Sequence, residues 1–363
     1  MKKILFLRDT AFPQLQAPLH RGKNTSRITL ITKHMKTLIS IALFFALTLI
    51  SCGDDSETTN PPTGPKDLYV AGRVTSGSSI FATYWKNDTE VRLTDGSAFA
   101  NASSISVDGS DIYVSGYVFN GTANVATYWK NGVAFPLEGN GSSVAVSIVV
   151  SNGTVCIAGT TVDATTKAQA ATVWKNGLPT TISDAAESEF VNGMFVEGTD
   201  VYVAGLASTG KRQVATYWKN STKTFLTEDS YSYANAVFIS GGDVYIAGWD
   251  KPDGTNRACY WKNGSIVYLT DGTHYGETNA IYVSGNDVYV AGRESNTAKY
   301  WKNGVVASAF GTSANTNALS IQVSGEDVYV AGYRDNVPVY SKNGIEKVLS
   351  TEAQGNAQSL VLH

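Results

Sequence analysis

Asp67-Leu-Tyr-Val-Ala-Gly72 returns as Asp111-Ile-Tyr-Val-Ser-Gly116, Thr154-Val-Cys-Ile-Ala-Gly159, Asp200-Val-Tyr-Val-Ala-Gly205, Asp243-Val-Tyr-Ile-Ala-Gly248, Asp287-Val-Tyr-Val-Ala-Gly292 and Asp327-Val-Tyr-Val-Ala-Gly332. The copies lie 44, 43, 46, 43, 44 and 40 residues apart. Each is β-branched and aromatic, the composition of a strand. A second motif follows each copy. Lys-Asn-Gly stands at Lys130, Lys175, Lys262, Lys302 and Lys342, usually after Tyr-Trp. Asn-Gly accepts positive φ at both central positions and is the strongest short hairpin signal.

Four strand-like segments fill each period. Around Asp243 they are the Asp-Val-Tyr-Ile-Ala-Gly element, Ala258-Cys-Tyr-Trp-Lys262, Ile266-Val-Tyr-Leu-Thr270 and, leading into the next copy, Asn279-Ala-Ile-Tyr-Val-Ser284. Four strands in about 40–45 residues make one propeller blade. The fold class is therefore all-β, a seven-bladed β-propeller over residues 67–363. Its first unit begins at a second strand, because only a polar segment precedes Asp67. Its last unit ends Asn356-Ala-Gln-Ser-Leu-Val-Leu-His363, which reads as a first strand. Pairing the two would close the ring and remove its open edges.

Composition narrows the function. Charged residues make up 16% of 363, and the formal charge is −3. Residues 1–52 carry eight Lys and Arg against one Asp, so the remainder holds 20 basic and 30 acidic residues, a net of −10. An acidic domain lacks the footprint of a nucleic-acid partner. Three cysteines are too few for a disulfide framework. Cys156 and Cys259 sit inside repeats and read as packing variants.

The N-terminus reads as an address. Met35-Lys36-Thr37 opens an apolar run from Leu38 to Ile50, ending Leu49-Ile50-Ser51-Cys52. A basic start, an apolar core and a small residue before the cut make a secretory signal. The run falls short of the ~20 residues a spanning helix needs, the bland alternative being an uncleaved anchor. Leu49-Ile50-Ser51-Cys52 resembles the lipobox of bacterial lipoproteins, which implies acylation of Cys52. Gly53-Asp54-Asp55-Ser56-Glu57 is similar to the surface-export tag of Bacteroidota lipoproteins. The expected layout is an upstream extension over 1–34 with translation starting at Met35, a signal peptide over 35–51, and a lipidated tether over 52–66. The expected location is the outer membrane at the cell surface, a periplasmic-facing orientation being the alternative. The repeats lack the signatures of WD40 and kelch. They resemble the Tyr-Trp-Lys-Asn-Gly propellers of bacterial lipoproteins, a family that brings no catalytic residues to transfer.

Trp85, Trp129, Trp174, Trp218, Trp261 and Trp301 recur at one register, with Ser341 breaking the series. They read as wedge packing between blades. The Asp that opens each second strand should meet Lys-Asn across the hairpin rather than hold a metal, since one carboxylate per blade cannot assemble calcium's 6–8 oxygens. Asp95, Glu138, Asp184, Glu228 and Asp271 read as a solvated rim. His274 and His363 join no Ser/His/Asp or Cys/His constellation, so no catalytic residue and no cofactor is expected. Carboxylate pairs brought together by folding stay open as a route to a hydrolase or lyase.

A ligand is expected on the face where the variable links emerge. There the residue after each glycine opens a loop: Arg73, Tyr117, Thr160, Leu206, Trp249, Arg293 and Tyr333. Arg73, Tyr117, Trp249, Arg293 and Tyr333 are the candidate binding residues, with Asp250, His274 and Tyr275 as polar additions. Plugging of the channel mouth is the competing reading. The expected function is a monomeric binding module for a glycan or protein. A carbohydrate-active enzyme or a structural part of an envelope complex are the alternatives. Cys52→Ser should move the protein from the detergent phase to the aqueous phase on partitioning while leaving its circular dichroism unchanged. Retention in the detergent phase would refute the lipid anchor.

Overall fold

The computed structural model describes residues 66–139, 141–183, 188–210, 212–311, 313, 315–350 and 354–363. The extension, the signal, Cys52, the tether up to residue 65 and Asp184 lie outside the described residues. Seven antiparallel sheets of four strands form the ring. Blade 1 joins Leu68–Ser76, Ser79–Lys86 and Thr89–Arg92 to the last strand, Gln354–Leu362. Blades 2 to 7 are continuous, over 100–136, 141–181, 189–225, 231–268, 276–308 and 316–348. The closing strand pairs from Leu68 with Leu362 to Thr75 with Gln354. Asp67 N–H donates to the His363 carbonyl at 2.8 Å, and His363 N–H returns the bond at 3.0 Å. The ring closes as the two chain ends require.

The innermost strand of every blade runs toward the tight turns, so both hairpin turns of a blade lie on one face. Asn131, Asn176, Asn263, Asn303 and Asn343 have φ of 49–52°, and each following glycine lies near 80°. Positive φ at both central positions defines the type I′ turn that matches strand twist.

A three-residue clasp recurs at these turns. In blade 2, Lys130 Nζ lies 2.7 Å from Asp111 Oδ2 and Asn131 Nδ2 donates to Asp111 Oδ1 at 2.8 Å. Asn131 Oδ1 accepts from Ile112 N–H at 2.9 Å, and the ammonium sits 5.1 Å from the Tyr113 ring centroid. The same set forms at Asp67, Asp200, Asp243, Asp287 and Asp327. Hydrogen bonds from lysine and asparagine hold these carboxyls below the usual aspartate range. Blade 3 carries Thr154 and Cys156 in place of Asp and Tyr, and keeps only the Asn176 bond to Val155 N–H, at 2.9 Å.

The six tryptophans are 0–2% exposed, and Trp85, Trp129, Trp174, Trp218 and Trp261 are set into the gap before their own blades. Trp129 packs on Tyr69, Ala71 and Ala82 of the preceding blade. Trp174 packs on Tyr113 and Ala126 in the same way. Alanines at these registers leave the width an indole needs. In blades 4 and 5 the indole edge lies over the strand glycine, with Trp218 Cζ3 and Trp261 Cζ3 about 3 Å from where a Cβ on Gly205 or Gly248 would sit.

Blade 7 lacks the tryptophan, and Ser341 is buried. Its gap is filled from the other side. Phe310, just past the outer strand of blade 6, is 3% exposed and clusters with Val330 and Val339 of blade 7. Its ring approaches the Gly332 site to 3.0 Å, the place the indole takes elsewhere. Phe310→Ala should therefore lose about 3–5 kcal/mol, as for other large-to-small core changes. Adding Ser341→Trp in that background should recover a good part of the loss in thermal melts. A neutral Phe310→Ala would show that the gap is closed by something else.

Candidate ligand-binding site

Every innermost strand carries a β-bulge opposite the glycine of the repeated hexapeptide. The extra residues are Ser103, Val146, Asn192, Asn235, Asn279, Leu319 and Gln358. A bulge turns the strand and re-aims one side chain, and all seven of these line the central cavity. The glycine is required because the bulged strand comes close. A Cβ at Gly72, Gly116, Gly159, Gly205, Gly248, Gly292 or Gly332 would lie 1.8–2.0 Å from a carbonyl oxygen of the innermost strand. The sequence displayed this glycine seven times. Its partner lies on another strand, so the glycine alone does not reveal the bulge.

The cavity encloses about 620 Å3 and is walled by the innermost strands of all seven blades. Its wall is unequal. Over blades 4 to 6 the bulged asparagines stitch neighbours together. Asn192 Nδ2 donates to the Ala234 carbonyl at 3.0 Å, Asn235 Nδ2 to Thr278 at 2.8 Å, and Asn279 Nδ2 to Ala318 at 2.9 Å. Three residues further along the same strands, Phe195, Phe238 and Tyr282 pack in tilted pairs at 4.9 and 5.0 Å between ring centroids. The opposite wall is Ser103, Ser104, Ser147, Ser320, Gln322 and Gln358. Burial pushes the Tyr282 hydroxyl up.

The sequence-derived residues share one register of the second strands, each paired with the start of an innermost strand, and Trp249, Arg293 and Tyr333 do not line the cavity. Arg73 and Tyr117 line the cavity itself. Tyr117 stacks on Phe99 at 5.9 Å, and burial raises its pKa against the pull of the Arg73 charge. Trp249 stacks on Tyr233 at 4.5 Å, both half-buried. Arg293 is held by Glu277 at 2.8 Å and lies 5.3 Å from the Tyr275 ring centroid. Tyr333 is half-buried opposite Asn317.

Other residues serve the fold. Leu206 is buried, and Thr160 accepts from Val191 N–H at 3.1 Å, linking blades 3 and 4. Asp250 is 3% exposed and accepts from Tyr268 OH at 2.6 Å and from Ser230. That carboxylate faces inward rather than to a ligand, because two hydroxyls neighbouring in space satisfy it. His274 is exposed, its Nδ1 3.0 Å from Thr273 Oγ1. On the rim, Asp95 and Asp271 accept from Ser97 and Thr273, bonds that lower both carboxyls. Cys156 and Cys259 are free and buried, and burial raises both thiols. Among the described residues no group of three His, Cys, Asp or Glu side chains could hold a metal. No helix among them is long and apolar enough to cross a membrane.

No protein-family model matches the chain, and no curated protein matches it in sequence. Solved structures match its fold. Uncomplexed acylaminoacyl peptidase of Pyrococcus horikoshii is similar at a TM-score of 0.50 and 14% identity, over 79% of this chain and 53% of that one. A prolyl endopeptidase structure gives 0.48 and 11%, over 82% and 50%. The nidogen/laminin complex gives 0.39 and 10%, over 64% and 88%. The chain spans about half the length of the peptidases it matches. At these identities the likeness is one of fold, the seven-bladed β-propeller.

The bulge sets the channel wall, so the glycine should be intolerant. Gly248→Ala drives a Cβ into the Tyr233 carbonyl, 1.8 Å away, and should lower the melting temperature by several degrees. Gly109→Ala meets no atom within 4 Å and strains only a positive φ of 58°, so it should cost far less. Equal melts for the two variants would remove the bulge from this account.

Proposed function

We propose that the chain is an envelope-anchored binding module that takes its ligand at the variable-link mouth of the central channel. One observation carries the reading. Arg73 and Tyr117 open onto a 620 Å3 cavity at the end where the seven units differ in link length and composition. Small-ligand sites run to about 300–1,000 Å3 and are concave with a few directed polar groups. Stacking on Phe99 and Tyr233 pre-orders Tyr117 and Trp249, which lowers the entropy lost when they meet a partner. On the tight-turn face six of the seven blades repeat the same clasp, blade 3 being the exception.

The anchor is the acylated Cys52, and Asp67, which precedes the first strand, lies on the tight-turn face beside Lys86 and Asn87. That geometry supports a turn face toward the membrane and a channel mouth pointing away from it. The ligand is a glycan or a protein segment, and the expected working form is a monomer without a cofactor.

A glycan array probed with labelled protein, beside a panel of envelope proteins, tests the reading. For the ligand found, Trp249→Ala and Tyr117→Ala should each weaken binding by about tenfold or more, as aromatic anchors do, at an unchanged melting temperature. If both variants bind like wild type, the mouth is not the site.

A further inference from the structure

We infer that the channel takes the end of an acidic saccharide, its carboxylate on Arg73 and its hydroxyls on the amide wall. The inference rests on the binding-module reading and names the ligand class for it.

Charge carries the first part. The domain past residue 52 is strongly acidic, with 30 acidic and 20 basic residues. Its channel has the opposite character. Among the described residues that line the cavity, Arg73 is the one charged side chain. Arg293 at the mouth is neutralised by Glu277 at 2.8 Å. Arg73 is half-buried on the strand Leu68–Ser76, between Ala82 and Asn356, and makes no ion pair with a described residue. A guanidinium cannot shed its proton at any ordinary pH. An uncompensated cation in a concave wall focuses an attractive field on an anion, more strongly than it would on an open surface. Its planar fork matches a carboxylate with two parallel hydrogen bonds. Phosphate sites draw on clusters of arginine, and here one guanidinium faces one negative charge.

The wall carries the second part. Asn192, Asn235 and Asn279 use their Nδ2 groups on the next blade, which fixes each amide plane beside the cavity. Asn235 Oδ1 also takes Asn192 Nδ2 at 3.4 Å, and each amide oxygen keeps a lone pair for a hydroxyl donor. A row of fixed amide oxygens suits successive hydroxyl donors. Phe238 and Tyr282, half-buried on the same strands, supply the apolar surface that a sugar's C–H face packs against. A peptide end would seek a free strand edge or an apolar pocket. The innermost strands are instead paired along their length to the second strand, and amides and hydroxyls dominate the wall.

The test uses the full chain in a detergent without sugar head groups. Isothermal titration is run with a panel of uronic- and sialic-acid-terminated oligosaccharides, each beside its carboxyl-reduced neutral form. At least one acidic member should bind tenfold or more tighter than its reduced form. Arg73→Gln should bring the two within about twofold of each other at an unchanged melting temperature. Phe238→Leu should weaken both forms alike. Equal binding of acidic and reduced forms, no binding by any acidic member, or a preference that survives Arg73→Gln would overturn the inference. So would Arg73-dependent capture of a peptide by its free C-terminal carboxylate, shown by loss on amidation, with no acidic saccharide bound. Those results leave the module reading to its own test, since the Trp249 and Tyr117 variants report on any ligand at the mouth.

Discussion

No side chain fits where the second strand of each blade crosses under the bulge of the innermost strand. That exclusion recurs seven times, with carbonyl oxygens 1.8–2.0 Å from the Cβ positions that the glycines leave empty. Much of the molecule's interior follows from it. Because the strands approach so closely, the innermost strand gains a residue and delivers it to the channel. In blades 4 and 5 the same empty Cβ position is also approached by the indole of Trp218 or Trp261. One vacant position thus serves the channel wall and the gap between blades at once.

The two recurring contacts differ in weight. Burying about 150–250 Å2 of an aromatic side chain contributes about 4–6 kcal/mol as an upper bound at roughly 25 cal/mol per Å2. The clasps of Asp, Lys and Asn stand in solvent, where an ion pair competes with water and salt and contributes little. Blades should therefore be held apart and together by aromatic wedges, with the clasps fixing turn geometry. The substitution pattern agrees. Blade 3 dispenses with the Asp and Tyr of the clasp and keeps its hairpin. Blade 7 dispenses with its tryptophan only because Phe310 takes the space.

Most of the frame was legible in the sequence because repetition writes it seven times. Period gave the blade, Asn-Gly the hairpin, and the mismatched chain ends the closing strand. The channel wall was not legible, for a physical reason. Bulge positions hold Ser103, Val146, Asn192, Asn235, Asn279, Leu319 and Gln358, so no residue type marks them. Only the opposing glycine is constant, and a constant glycine says that something comes near without saying what. Phe310 was equally hidden, since it replaces a missing indole from a different blade and a different register. Asp250 looked available at the mouth, yet Tyr268 and Ser230 reach it only after folding. Arg73 and Tyr117 were found because they follow a repeated landmark directly.

Closure by Gln354–Leu362 has a consequence in time. Pairing Leu68 with Leu362 joins residues at opposite ends of the folded domain. Loop entropy grows only with the logarithm of length, so this closure costs about 2 kcal/mol more than one spanning a single blade. Thermodynamically that is minor beside one buried tryptophan. Kinetically it is not, because long-range β pairing forms slowly and leaves edges open while it waits. Three N-terminal strands are made first and receive their fourth last. Until the final nine-residue strand has emerged, the growing chain carries an unpaired edge at each end of an incomplete arc. A ribosome that stalls inside the seventh blade would release five complete sheets, a first blade short of its fourth strand, and a molecule primed to pair with its neighbour.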